Sequence, residues 1–318
     1  MAATSPLNIS YIAPSRIAAG NLTRDLDLTD DELSGLLDLT ARIKGHPARF
    51  AQVLNGSYIS LLFEKPSLRT RMTFELAIKQ IGGDAVTSIG PIGDREPLKD
   101  VARNLDRWTN AIVARTFSQQ TIDGLAHWSS VPVVNALSDM YHPCQALADI
   151  FTLQEQFGNL RGLKLAFVGD GNNVAHSLML CAARLGMNFA LGCPAGYEPN
   201  QEVLAEALGL ASMTGAAIEV TDNPFAAVAG ADAIYTDVWT SMGQESEKQQ
   251  RVADFAAFQV NARLMGHARP QARFMHCLPA KRGEEVTDEV IESSSSVVFD
   301  QAENRLHAQK ALLLMLLA

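Results

Sequence analysis

The feature that most constrains this chain is an alternation of short apolar runs with stretches of helix length. Strand-like runs fall at 58–63, 111–115, 131–135, 163–169, 189–193, 233–237, 274–277 and 297–300. Short β runs spaced by helices build parallel α/β layers rather than a sandwich. Thr29-Asp30-Asp31-Glu32 is a capping box that opens a helix over 31–43. A long amphipathic helix runs from Pro143 to about Phe157, and Gly158 suits its C-cap. A chain of 318 residues exceeds one ordinary domain. The divide is placed at this long helix, giving units 1–142 and 143–302, with the helix as bridge. The apolar closing segment 303–318 needs a surface to pack on and is expected to return to the first unit. The expected fold class is therefore α/β, with two similar-sized domains, each a parallel β-sheet flanked by helices, joined by interdomain helices.

Composition sets the boundaries of function. With 47% hydrophobic and 19% charged residues the chain buries large cores, which excludes a disordered or fibrous protein. The net charge of −9 argues against a nucleic-acid partner or an anionic membrane surface. An acidic protein still holds a small anion if its few arginines converge in one place. The four cysteines, Cys144, Cys181, Cys193 and Cys277, form no C-x-x-C pair, and no His cluster has zinc-ligand spacing. Reduced thiols and a cytoplasmic location are the expectation. No secretory pattern is visible in the first 25 residues, and the apolar run near 311–318 is too short to span a bilayer.

Several stretches could carry chemistry. In Glu64-Lys65-Pro66-Ser67-Leu68-Arg69-Thr70-Arg71 a strand ends, Pro66 turns the chain, and Ser67 is placed to cap a helix. First-turn amides there carry partial positive charge, and the hydroxyls and Arg69 would complete a phosphate cradle. A capped helix with solvated arginines fits the same residues. In His142-Pro143-Cys144-Gln145, Pro143 suits the first helical position, so His142 and Gln145 can face one ligand; a capping His and a surface Gln is the plainer alternative. Gly169-Asp170-Gly171-Asn172-Asn173-Val174 invites a dinucleotide reading. However, Val174 stands where the third glycine belongs, and the next strand ends at Cys193-Pro194 without the ribose-binding acid. Asn173 could instead reach a ligand above the sheet. Arg115, Asp237 and Cys277 each close a predicted strand. Ser67, Arg69, Arg115, His142, Asn173, Asp237 and Cys277 thus all lie at or just past carboxyl ends of strands, where open α/β sheets bind ligands. One interdomain cleft explains them together, and the polar stretch 244–251 reads as a mobile loop over it, or as a solvated charged loop.

Taken in order, Ser67-Leu68-Arg69-Thr70-Arg71, His142-Pro143-Cys144-Gln145, Asp237 with Ser241-Met242-Gly243, and His276-Cys277-Leu278-Pro279 resemble the ornithine carbamoyltransferases. The ending Phe299-Asp300-Gln301-Ala302-Glu303-Asn304-Arg305 is similar to theirs too, so the resemblance covers nearly the whole chain. Aspartate-specific relatives carry Pro-Leu-Pro where this chain has Cys277-Leu278-Pro279, and putrescine-specific ones lack the Ser241-Met242-Gly243 element. The resemblance implies transfer of a carbamoyl group from carbamoyl phosphate to the δ-amino group of L-ornithine, giving L-citrulline and phosphate, as in arginine biosynthesis or arginine breakdown. Transfer to putrescine or an N-acylornithine is the alternative, and a nicotinamide-dependent dehydrogenase built on Gly169–Gly171 is the rival from another class. By the same resemblance, Ser67, Leu68, Arg69 and Thr70 hold the phosphate, while Arg115, His142, Gln145, Cys277, Leu278 and Arg305 complete the carbamoyl phosphate site. Asn173, Asp237, Ser241 and Met242 bind ornithine; Arg115, His142, Asp237 and Cys277 are the expected catalytic set. Neither metal nor cofactor is implied. A homotrimer is implied, with the loop 89–97 of a neighbour reaching the donor; Pro91 replaces a usual Gln there, and Arg95 lies close enough to substitute. Lys281, after Pro279, sits at a variable position.

Overall fold

A computed structural model of the chain describes residues 16–240 and 245–318. Among the described residues two sheets form, and every strand pairing in both is parallel. The first contains β1 (Tyr58–Phe63), β2 (Asp84–Ile89), β3 (Ala111–Arg115) and β4 (Val133–Leu137), in the order β2-β1-β3-β4. The second contains β5 (Lys164–Val168), β6 (Asn188–Gly192), β7 (Ile218–Thr221), β8 (Ala233–Thr236) and β9 (Arg273–His276), in the order β7-β6-β5-β8-β9. The central strands β3, β5, β6 and β8 are almost wholly buried, as expected for a sheet covered on both faces.

The helix Pro143–Phe157 joins the sheets. Its residues 143–153 are all buried, because both halves pack on it. The C-terminal helix Val298–Leu317 lies against this bridging helix and against the helices Asp30–Gly45 and Leu68–Gln80. Leu312, Leu313 and Leu314 on it join the core beneath the first sheet, together with Ile59, Leu61, Phe74 and Ile78. A chain that finishes in the second half therefore ends by packing on the first.

Four expectations need correcting. Residues 297–300 are not a strand: Ser296 makes a single parallel bridge to Phe274, and a helix begins at Val298. A short apolar run cannot be told from a buried helix by periodicity, and here it merges with the helix that follows. The stretch 244–251 is largely helical, with a 3-10 turn Glu245–Glu247 leading into the helix Lys248–Phe255; Gln244 lies outside the described residues. The run at 131–135 shifts to Val133–Leu137, since Pro132 has no N–H to give the ladder and offers only its carbonyl to Ile112. The strands ending at Val168, Gly192, Thr236 and His276 stop one residue earlier than read.

Candidate active site

Because each sheet is all parallel, the carboxyl ends of its strands share one edge. The two edges face a single cleft of about 1100 Å³ whose lining comes from both halves. Of the residues singled out from the sequence, Ser67, Leu68, Arg69, Thr70, Arg115, His142, Gln145, Asn173, Asp237, Cys277, Leu278, Arg305 and Lys281 all line it. Ser241 and Met242 lie outside the described residues. No residue of this chain's own loop 89–97 lines the cleft.

One wall is cationic. Ser67 has extended backbone and its hydroxyl accepts from Thr70 N–H at 3.3 Å, so the helix Leu68–Gln80 starts at the cleft with its free amides towards it. Arg115 leaves β3 where the β3–β4 register shifts between Ala114 and Arg115. Arg305 projects from the C-terminal helix. Both guanidinium groups donate to Thr70 Oγ1, at 3.4 Å from Arg115 and 2.7 Å from Arg305, and Arg305 also donates to Gln145 Oε1. Burial, with the Arg305 charge beside it, pushes the Arg115 pKa down to about 10. Burial also lowers those of Arg69 and Arg305. Arg115 Nε, Arg305 Nε and His142 Nδ1 are buried without a hydrogen-bond partner. Several buried polar atoms left unpaired around one cavity mark a place where a polar ligand completes the bonding.

His142 has non-helical backbone before Pro143, which removes a donor that the first helical turn would leave unused. Its own N–H donates to Ser177 Oγ at 2.9 Å, and that hydroxyl donates to the buried Asp25 at 2.6 Å. Burial, then the charges of Arg305 and Arg115, hold the imidazole well below its ordinary pKa, so it is neutral near pH 7.

The opposite wall carries an acid and a thiol. Asp237, the residue after β8, accepts from the Cys277 thiol at 3.0 Å and from Asn172 Nδ2 at 3.0 Å. Burial and then Asp237 push the thiol pKa well above its usual value, so Cys277 is a protonated hydrogen-bond donor and not a thiolate nucleophile. Leu278 sits at φ +56°, a backbone conformation unusual for a branched residue. Its N–H donates to His276 Nδ1 at 2.9 Å, which places the ring proton on Nε2 facing the buried Glu285 at 3.1 Å. Asp237, His276 and Cys277 bring ligand-type atoms within 4.8 Å of one another, but the His276 nitrogens and the thiol are already used in these bonds.

Asn173 lines the cleft with its amide donating to Ser138 O at 2.6 Å, so as it stands it ties the two halves together. Two contributors were missed from sequence. Asn172 caps the helix Asn173–Leu185 and also donates to Asp237; an Asn between a glycine turn and a helix is a cap signal that was there to be read. Arg251 bonds Asp170 Oδ2 at 2.8 Å, Glu247 at 2.8 Å and Trp239 O at 3.0 Å, and no local pattern foretells a pair 81 residues apart. The glycine turn itself is explained by its own chain. A Cβ on Gly171 would lie 2.5 Å from Pro199 N, so the glycine admits the 196–199 segment rather than a pyrophosphate.

Fold and cleft define a two-sheet α/β enzyme with one cleft between the sheets, at the carboxyl ends of the strands, the place where open α/β sheets bind ligands. Sequence profiles say which one. The profile described as aspartate/ornithine carbamoyltransferase, carbamoyl-P binding domain, matches residues 21–155, and that of the Asp/Orn binding domain matches residues 161–316. The chain is 46% identical over 313 residues to the ornithine carbamoyltransferase of Listeria monocytogenes serotype 4b, covering 97% of this chain and 99% of that one. It is 49% identical to the ornithine carbamoyltransferase of Parasynechococcus marenigrum, covering 96% of both. The structure of the Pyrococcus furiosus ornithine carbamoyltransferase superimposes with a TM-score of 0.92 at 45% identity, over 95% of this chain and 98% of that one. The chain belongs to the aspartate/ornithine carbamoyltransferase family.

Proposed function

We propose that the protein transfers the carbamoyl group of carbamoyl phosphate to the δ-amino group of L-ornithine, releasing phosphate and L-citrulline. The observation that carries this reading is the pairing of walls: buried, partly unpaired arginines at a helix N-terminus face a hydrogen-bonded carboxylate and thiol. The first wall suits a doubly acidic acyl phosphate, the second an amino-acid amine.

In this reading Ser67, Arg69 and Thr70, with the amides from Leu68 onward, take the phosphate. Arg115 and His142 donate to the carbamoyl oxygen, Arg305 and Gln145 complete that end, and Leu278 closes it from above. Asn173, with Ser241 and Met242, takes the amino-acid end of ornithine, and Asp237 and Cys277 orient its amines. The δ-nitrogen must attack as a free amine, although in water it is mostly protonated near pH 7. A closed, desolvated cleft favours the neutral form. Its lone pair then forms the new C–N bond, the carbonyl oxygen takes up negative charge against fixed donors, and the C–O bond to phosphate breaks as the amine passes a proton to the departing phosphate. Preorganised donors at that oxygen contribute about 3 kcal/mol each to lowering the barrier. The units 1–142 and 143–302 divide the task between donor and acceptor, with residues 303–318 returning Arg305's helix to the donor unit.

A panel of acceptors tests this. With carbamoyl phosphate as donor, ureido product is expected from ornithine and little from putrescine or N-acetylornithine. Strong turnover on putrescine with none on ornithine would overturn the acceptor assignment. Saturable NADH binding with no carbamoyl transfer would restore the dehydrogenase rival.

A further inference from the structure

The steps above leave unused a buried carboxylate beside the donor site. Asp149 lies one helical turn beyond Gln145 on the bridging helix and has no accessible surface. Its Oδ1 accepts from Gln145 Nε2 at 2.8 Å and from Gln301 Nε2 at 2.7 Å, and its Oδ2 accepts from the Tyr235 hydroxyl at 2.9 Å. Gln301 in turn accepts from the backbone N–H of His276 at 2.9 Å. The carboxylate therefore gathers one bond from the donor side, one from the C-terminal helix and one from β8, two residues before Asp237.

These bonds leave Gln145 no choice of orientation. An ionised carboxylate only accepts and a guanidinium only donates. Gln145 stands between Asp149 and Arg305, so its nitrogen must face Asp149 and its Oε1 must face Arg305 and the cleft. The opposite flip would set a carbonyl against the carboxylate and an NH₂ against the guanidinium. Carbamoyl phosphate, apart from any acidic proton, has a single donor group, its NH₂, while the surrounding arginines and helix amides are themselves donors. A carbonyl oxygen fixed among them is what the NH₂ needs. We propose, resting on the carbamoyl phosphate reading above, that Asp149 is a positioning residue: it locks Gln145 as the acceptor for the carbamoyl NH₂. It thereby sets the preference for a carbamoyl over an acetyl phosphate. A methyl group in place of NH₂ would leave Oε1 without that bond, and sites built around a buried polar partner reject analogues that lack it.

The test compares the full-length enzyme with Asp149→Asn, whose own NH₂ removes the demand for a donor from Gln145. With ornithine saturating, the KM for carbamoyl phosphate is measured beside the competitive Ki values of acetyl phosphate and inorganic phosphate. The KM is expected to rise about tenfold while both Ki values stay within about twofold, since neither inhibitor has an NH₂ to place. All three constants moving together would show a general structural role and overturn the proposal, as would no change in any. In a Gln145→Met background the same substitution should not alter the ratio of carbamoyl to acetyl phosphate further; an added change would mean that Asp149 acts by another route. Asp149→Ser, which shortens the side chain and adds no NH₂, serves if Asp149→Asn does not fold, with the same split expected. A wild-type enzyme that does not turn over carbamoyl phosphate would instead sink the parent reading.

Discussion

At the scale of single residues, the cleft works through groups held in one protonation state. Cys277 is kept as a thiol by burial and by Asp237, so its alkylation by iodoacetamide at pH 8 should be far slower than that of a free thiol. Fast, complete labelling there would contradict the donor role. His142 has its pKa depressed in the folded state, so the unfolded chain binds the extra proton first. Stability contributed by the neutral ring is present above the ordinary value of about 6.5 and is lost as pH falls below it. Asp25 and Asp149, both raised to about 6 by burial, act in the opposite sense: the folded state holds their protons between about 4 and 6, so they favour folding as pH falls through that window. His142→Asn should therefore flatten the loss of stability between about pH 6.5 and 5.5, read from urea unfolding of wild type and variant. Arg115 stood out in the sequence because it ends a strand, and Arg69 because it falls in the turn-and-helix stretch just past one. Asp149 did not, because an acid inside a helix gives no sign of being buried until its partners arrive from residues 235 and 301.

At the scale of elements, local chemistry set the starts of helices well. Thr29 accepts from Glu32 N–H at 3.2 Å while Glu32 accepts from Thr29 N–H at 2.7 Å, which is the predicted capping box. Thr29→Ala should lower the unfolding free energy by about 1 kcal/mol without changing turnover, since the cap is remote from the cleft. The helix Lys248–Phe255 is a different case, because its place depends on Arg251 reaching Asp170 beside the glycine turn. Arg251→Met removes three hydrogen bonds at that junction and is expected to raise the KM for ornithine several-fold while leaving that for carbamoyl phosphate little changed. Equal shifts in both would assign Arg251 to general stability. The strands β2 and β7 escaped the sequence reading for a shared reason. Both are sheet edges with largely unburied side chains, so neither carries the continuous apolar run of a central strand.

At the scale of the whole molecule, β2 is an edge of the first sheet with no further strand paired to it among the described residues. Along β2 and the helix beside it Met72, Leu76, Val86 and Ile89 are exposed, and Leu68 is 66% exposed at the cleft rim. Unpaired edges and apolar patches of this kind are usually covered by another chain. A trimer that buries this face is our expectation: light scattering should give three times the chain mass, and Val86→Asp should shift it towards that of one chain. A monomeric wild type would remove that expectation, and with it any role for Pro91 or Arg95 in a neighbour's cleft.

The sequence by itself determined the alternation of strands and helices, the caps, and the strand-end positions of most site residues, because these follow from periodicity and from backbone chemistry within a few residues. Only the tertiary structure decided that Arg305 meets Thr70 and Gln145, that Arg251 meets Asp170, and that Asp149 is shared between Gln145, Gln301 and Tyr235. Those pairings join residues from 4 to 235 positions apart. Burial supplies their strength, and a sequence does not reveal which distant group will share a buried site until the layers have packed.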